Sequence, residues 1–475
     1  MSTATGERAA AQPELNQKTA PGDTTTRNDT TAPAQESTHL NGTTSDTSSS
    51  DNHDNQPPDA EKAVKPLGAY DPSTIPNGGL QAWLQVAGGF SLFFNTFGLL
   101  NTFGIFQTYY ESNALFVESS SNIAWIGSIQ SFLILCIGAV TGPVYDRGHL
   151  RLLLGIGTFG VTFGFMMLSI CKTFWEVLLA QGFCVGLSAG CLFVPGIAIL
   201  PTYFTTRLGL AVGLAAAGSS MGGIIYPIVF YQLIDKIGFG WTVRVLGFIA
   251  LGTLLVPLTV LKMPVKPAKA RALIDWTAFT DIPYLVFTFG AVVGFIGLYI
   301  VLFYVSYYGQ ATGYTDTKMS FYLIPILNAA SVFGRTVPNA LSDVTGPLNM
   351  ITPGALVVGI LVFCLLAVKN AAGLIVVTAF YGFFSGVFFA LPPVCYVKLT
   401  KDKSRIGTRI GMGFAMIGAA VLIGGPAGGA VLGTNANDLN WTGTWIFGGV
   451  TAMAAFAIFV GLRVQQSGWK VFVKA

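Results

Sequence analysis

Charge is what this chain has least of. Only 10% of its 475 residues are Asp, Glu, Lys or Arg, against about 25% in an ordinary soluble domain. That excludes a globule solvated by water over its whole surface. Histidine is scarce as well: His39, His53 and His149 all fall outside the long apolar runs. No Asp or Glu lies in the middle of such a run. A membrane-embedded enzyme or metal centre needs His, Asp, Glu or Cys gathered at one depth. No such gathering is visible, so no catalytic residue, metal or cofactor is expected. The six cysteines (Cys136, Cys171, Cys184, Cys191, Cys364, Cys395) lie in or at the ends of apolar runs. A disulfide framework would place them in loops, so they read as small packing residues. No basic stripe interleaves with aromatics, which argues against nucleic acid.

Residues 1–79 are nearly free of large apolar side chains and carry five basic against eleven acidic residues. Such a segment cannot bury enough surface to fold, and it has no apolar core of the signal-peptide kind. It reads as a disordered cytosolic tail whose sequons at Asn28 and Asn41 go unused.

What the chain has in abundance is apolar length. Hydrophobic residues make up 52% of it. They form twelve runs at about 82–107, 122–143, 150–171, 175–200, 208–233, 241–262, 283–308, 319–340, 350–368, 371–396, 408–433 and 441–463. A run of ~20 such residues crosses a ~30 Å hydrocarbon core, and only as a helix. The expected fold is therefore an all-α membrane protein of twelve transmembrane helices. With both termini in the cytosol, the inner loops and C-tail hold fifteen Lys and Arg. The outer loops hold four: Lys172, Lys236, Lys318 and Lys369. The positive-inside rule selects that orientation. The lipid bilayer is the one partner composition dictates. Asn440 opens the last run and would be a glycan acceptor if its outer loop is accessible.

The two sets of six runs look related. Gly182-Phe-Cys-Val-Gly186 recurs as Gly382-Phe-Phe-Ser-Gly386. Arg207-x-Gly209-x-x-x-Gly213 recurs as Arg405-x-Gly407-x-x-x-Gly411. Asp146 after span 2 matches Asp343 after span 8. The expected organisation is a tail (1–79), a six-helix half (80–263), a cytosolic linker (264–282), a second half (283–463) and a C-tail (464–475). Small residues every fourth position, as at Gly182, Gly186 and Gly190, let helices approach closely, either to slide or simply to pack.

Three stretches carry a resemblance. Gly142-Pro-Val-Tyr-Asp146-Arg147-Gly-His-Leu-Arg151, in the inner loop between spans 2 and 3, resembles the loop signature of the major facilitator transporters. The arginine position is Val344 in the second half, so the first-half loop is expected to carry more of the gating. Asn77-Gly78-Gly79-Leu-Gln-Ala-Trp83 introduces span 1. Tyr203-Phe204-Thr-Thr-Arg207-Leu-Gly-Leu-Ala-Val-Gly213-Leu-Ala-Ala-Ala-Gly218-Ser219 opens span 5. Both resemble the signatures of the monocarboxylate porter family in its fungal branch, with Asn77 where an acid is usual. Gly186-Leu-Ser188-Ala-Gly190 and Gly155-Ile-Gly157-Thr-Phe-Gly160 match soluble-enzyme motifs but lack their strand-turn-helix setting.

The resemblance implies alternating access between two halves around a site near mid-membrane. It also implies that Arg335 in span 8 matches the family's substrate arginine, while Ser331 stands where a proton-relaying Asp is usual and Asn101 where a span 1 lysine is. Proton coupling is thus left open. Arg335 would either bind cargo or partner inner-gate groups such as Asp146 or Asp343. Arg244, near the outer start of span 6, would snorkel to the interface. Asn95, Asn101, Gln130, Gln181, Tyr304, Tyr308, Asn328 and Ser331 could line the cavity, together with some of the 36 Phe residues. The chain is therefore expected to be a secondary transporter for a small anionic or amphipathic metabolite at the plasma or vacuolar membrane. Export of a fungal secondary metabolite stands ahead of uptake of a monocarboxylate or riboflavin-like nutrient.

Overall fold

The computed structural model describes residues 77–112, 114–263, 272–402, 405–433 and 438–468. Most of the tail, with Asn28 and Asn41, lies outside them, as do 264–271 and 469–475.

Each apolar run becomes helix. The first is broken into α1 (Leu80–Asn95), α2 (Phe97–Asn101) and α3 (Phe103–Glu111). There follow α4 (Ser120–Asp146), α5 (Leu150–Leu168), and a composite of α6 (Phe174–Val177), a π-helical stretch (Leu178–Val185) and α7 (Gly186–Ala198). Helix α8 (Leu208–Val260) is two helices end to end, meeting in a kink at Gly238, whose φ of 72° is foreign to a helix. It therefore serves runs 5 and 6. The remainder are α9 (Ile282–Ala311), α10 (Thr317–Thr345), α11 (Pro347–Cys364), α12 (Ala371–Ala390), α13 (Pro392–Leu399), α14 (Ile406–Leu432) and α15 (Trp441–Ser467). Among the described residues, ten helices are long and apolar enough to cross a membrane, with α8 counted once and α10 not among them.

Helix starts follow local chemistry. Ser119, Asp316, Asn370 and Asn440 each accept a backbone N–H of the first turn on a side-chain oxygen, the usual N-cap device. Thr173 and Glu176 form a reciprocal capping box.

Helix α10 explains its own low hydropathy. Asn328, Ser331, Arg335, Asn339 and Ser342 are all buried, spaced three or four residues apart on one face. Phe333, Val337, Leu341 and Val344 are exposed on the other. The polar face points into the bundle, and the apolar face points out, as on α5 (Phe159, Phe163) and α9 (Phe289). An outward apolar surface of this kind is solvated by lipid rather than water.

The repeat in the sequence is a repeat in packing. Methyls placed on Gly182 and Gly186 would meet the Ile126 carbonyl and the Gln130 backbone of α4. On Gly382 and Gly386 they would meet the Leu327 and Ser331 carbonyls of α10. In both cases the small residues bring a helix onto its neighbour at equivalent depth. Between the two sets, α4 packs on α14, α8 on α10, and α3 on α9.

Candidate functional site

Helix α10 places Arg335 ten residues before its end at Thr345, about 15 Å along the axis. The sequence-based end at 340 is short by five residues, so Arg335 sits deeper than expected. Its side chain is 2% exposed. Nε donates to Ser331 Oγ at 3.1 Å, one turn back, and a terminal N–H donates to Ser219 Oγ of α8 at 2.5 Å. The guanidinium carbon lies 4.5 Å from the centre of the Phe389 ring, within cation–π range. No carboxylate pairs with Arg335 among the described residues. The expected alternative, a partnership with Asp146 or Asp343, is not what it makes.

The polar seam continues along α8 and α10. Asn101 Nδ2 donates to Asn328 Oδ1 at 3.1 Å and to the Ser219 carbonyl at 3.5 Å. Asn328 Nδ2 returns to the Ile324 carbonyl at 3.0 Å. Asn101 Oδ1 is buried with no donor among the described residues. Asn101 ends α2, the short helix between breaks at Thr96 and Thr102. Interrupted helices are where transporters place binding groups. Four of the six expected site residues, Arg335, Asn101, Asn328 and Ser331, thus come together.

The other two do not. Gln181 accepts from Tyr110 Oη at 2.9 Å, and Tyr304 donates to the Gly425 carbonyl at 3.1 Å. Both sit toward the helix ends opposite the termini, because α9 runs on past Tyr304 for only two turns and Gln181 lies in the first turns of its run. Ser219 is a hydrogen-bond partner of Arg335 that sequence reasoning quoted within a motif but did not single out. Phe93, Phe97, Phe193, Phe389 and Phe414 surround Arg335 in one cavity of about 20 Å³. Organic-ligand pockets run to about 300–1,000 Å³, so this cavity is closed down.

At the end of α10 nearer Arg335, Asp343 caps a helix of the other set. Its Oδ1 accepts the Gly209 N–H at 2.9 Å and Oδ2 the Leu210 N–H at 3.2 Å. A carboxylate at a helix N-terminus meets unpaired N–H groups and the positive end of the dipole. The contact uses backbone donors, so Val344 in place of arginine does not weaken it. Asp146 is likewise buried at the end of α4, after buried Gly142, while Arg147 and Arg151 are exposed.

The two motifs of the span 1 and span 5 openings interlock. Asn77 (φ 51°) precedes Gly78 and Gly79, both also at positive φ. Asn77 Oδ1 accepts from the N–H groups of Thr205 at 2.6 Å and Thr206 at 3.0 Å and from the Thr205 hydroxyl at 2.8 Å. Its N–H donates to the Tyr203 carbonyl at 3.0 Å. Trp83 meets Phe204 edge-on at 5.3 Å, and Tyr203 Oη donates to the Lys262 carbonyl at 2.8 Å. Residues 77–79 are thus part of the folded body rather than the tail. Arg207, exposed, precedes α8. Gly213 and Gly218 lie on faces of α8 that touch different neighbours, the Arg335 backbone and the Phe90 carbonyl respectively.

The linker is not all loop either. Asp275 opens a 3-10 turn, Trp276–Thr280, and its carboxylate binds Arg405 at 2.8 Å and Arg409 at 3.0 Å. Arg409 also binds Asp281 at 2.5 Å. Burial pushes the Asp275 carboxyl up, but hydrogen bonds from Thr277, Arg409 and Arg405 outweigh it and hold it down at about 2. Arg409, expected as a loop charge, is buried in the first turn of α14. Arg244 is half-buried, donating to Ser169 Oγ at 3.0 Å and lying over Trp241.

The family model of the Major Facilitator Superfamily matches residues 86–401. The chain belongs to the major facilitator superfamily. Among curated major facilitator proteins, it is 61% identical over 393 residues to the MFS-type transporter dbaD of Emericella nidulans, covering 83% of this chain and 88% of that one. It is 36% identical over 400 residues to the aspyridones efflux protein apdF of the same organism, covering 83% and 82%. The nucleoside transporter NupG superposes with a TM-score of 0.59 at 16% identity, over 80% of this chain and 99% of that structure, a likeness of fold alone. The protein is a membrane transporter, and not an enzyme.

Proposed function

We propose that this chain exports an anionic, amphipathic secondary metabolite by alternating access, with Arg335 holding the cargo's negative group. The observation that carries this reading is the buried Arg335. It faces a ring of phenylalanines and has only hydroxyls and an aromatic face as partners among the described residues. A guanidinium desolvated without a carboxylate is costly, and a cargo anion supplies the missing charge. Ser331, Ser219, Asn101 and Asn328 add hydrogen bonds, and the aromatic rings take the apolar part.

The efflux direction draws on the relatives, one of which is named for aspyridones efflux. The interlocked Asn77 and Tyr203 motifs favour the monocarboxylate-porter-like branch. The chain crosses the plasma membrane twelve times, with α8 crossing twice around Gly238 and α10 once. Its halves are 80–263 and 283–463, and its termini are cytosolic. Asp146 and Asp343 close the cytosolic side. Asn440 then lies outside, exposed at the start of α15, with Nδ2 available for a glycan while Oδ1 caps Gly443.

The test is complementation of a deletion strain with Arg335→Ala. Loss of a charge-assisted hydrogen bond costs about 1.5–3 kcal/mol, so export should fall roughly ten- to hundred-fold at unchanged surface expression. Export at the wild-type rate would remove Arg335 from the site.

A further inference from the structure

Sequence reading ends the first span at residue 107 and leaves Glu111 in a loop. The structure carries α3 on to Glu111, so a carboxylate belongs to the end of the span. It is half-buried. Gln107 Nε2 donates to Oε1 at 2.7 Å and Ser120 Oγ to Oε2 at 2.9 Å. No Lys, Arg or His pairs with it among the described residues. The groups that face it are neutral: Gln107 from its own helix, Ser120 from α4, and Tyr304 and Tyr307 from α9. Glu118, in the loop between, is engaged by Asn122. An ionisable group in a span without a counter-ion is a functional candidate. The neutralising partner left to this one is a proton.

Gln107 suits the site to both states. Its Nε2 donates to the ionised carboxylate, while its Oε1 is buried with no donor among the described residues. A half-turn of the amide exchanges oxygen and nitrogen. Oε1 then accepts from the O–H of a protonated carboxyl. The orphan acceptor gains a donor when Glu111 carries a proton.

Ser120 ties the site to the bundle interface. Its carbonyl accepts from Tyr304 Oη at 3.5 Å, and the same hydroxyl reaches the Gly425 carbonyl of α14 at 3.1 Å. The next residue, Ser121, donates to the Pro426 carbonyl at 3.1 Å. Helices α4 and α14 are pinned together at the end where α3 stops. We propose that Glu111 is a proton-binding site of the transport cycle. It is ionised and hydrated while this end of the α4–α14 contact is open, and protonated as the contact closes over it. Only an O–H bond forms and breaks, with water on that side as proton donor and acceptor. The proposal rests on the alternating-access reading above.

Infrared difference spectroscopy of the full chain in phosphatidylcholine nanodiscs, stepped from alkaline to acidic buffer, reads carboxyl protonation without any cargo. Wild type should show a protonated-carboxyl band that Glu111→Gln lacks and Glu111→Asp restores. Superimposable wild-type and Glu111→Gln spectra overturn the proposal. Should Glu111→Gln fail to fold, Ser120→Ala replaces it: loss of the hydroxyl donor shifts the band if it belongs to Glu111, and an unshifted band overturns the assignment. An export profile unmoved by gene deletion would count against the transport reading while leaving the infrared result standing, so the two failures are distinguishable.

Discussion

Asn77 shows what one side chain decides. Among the described residues, every hydrogen bond of its side chain runs through Oδ1, which accepts from Thr205 and Thr206. An aspartate offers the same oxygen with more charge. Asn77→Asp should melt at or above the wild-type temperature. Asn77→Ala loses a cap-like acceptor worth about 1 kcal/mol and takes alanine to a φ of 51°. It should melt several degrees lower in a fluorescence-detected thermal shift. Equal melting of the two variants would contradict the capping account. At this scale the sequence is legible where a residue stands out from its surroundings. Arg335 was visible as a lone charge in an apolar run. Ser219, Phe389 and Glu111 were not, because their significance comes from what folding brings against them.

Between elements, small residues set the distances. A methyl on Gly382 would run into the Leu327 carbonyl of α10, whereas one on Gly155 of α5 meets nothing within 4 Å. Overpacking of that kind costs about 1–3 kcal/mol. Gly382→Ala should lower the yield of monodisperse protein in size-exclusion chromatography, and Gly155→Ala should not. Equal yields would show that the α10–α12 contact relaxes freely. The docking of the linker on α14 carries a pH dependence. The folded Asp275 carboxyl, at about 2, lies below its ordinary value of about 3.9. Its stabilisation is therefore complete above about pH 4 and lost as pH falls toward 2. Thermal melts of wild type and Asp275→Asn should differ by a constant amount at neutral and mildly acidic pH and converge only near pH 2. Convergence already near neutrality would refute the latch.

Run lengths were legible to within a few residues because apolar periodicity alone sets them. The breaks at Thr96 and Thr102, the turn at Gly238 and the π-helical stretch around Gln181 were not, since backbone irregularity pays off only in tertiary packing. The stretch from 272 to 282 read as linker because its ion pairs are made with a helix some 130 residues later.

The molecule as a whole is caught with both ends shut. Helices α8 and α10 meet at Gly209 and Asp343 at one end and through Gln232 and Tyr322 at the other. Helices α4 and α14 meet at Ala139 and Gly411 and again at Ser121 and Pro426. The closed-down cavity at Arg335 results from that, and alternating access consists in opening one end at a time. The most direct measurement is the metabolite profile, inside and outside, of source cells lacking this protein. Export predicts an acidic, partly apolar compound that accumulates inside and disappears from the medium, restored by the wild-type gene and not by Arg335→Ala. An unchanged medium, with an external nutrient no longer consumed, would contradict the account and make the protein an importer.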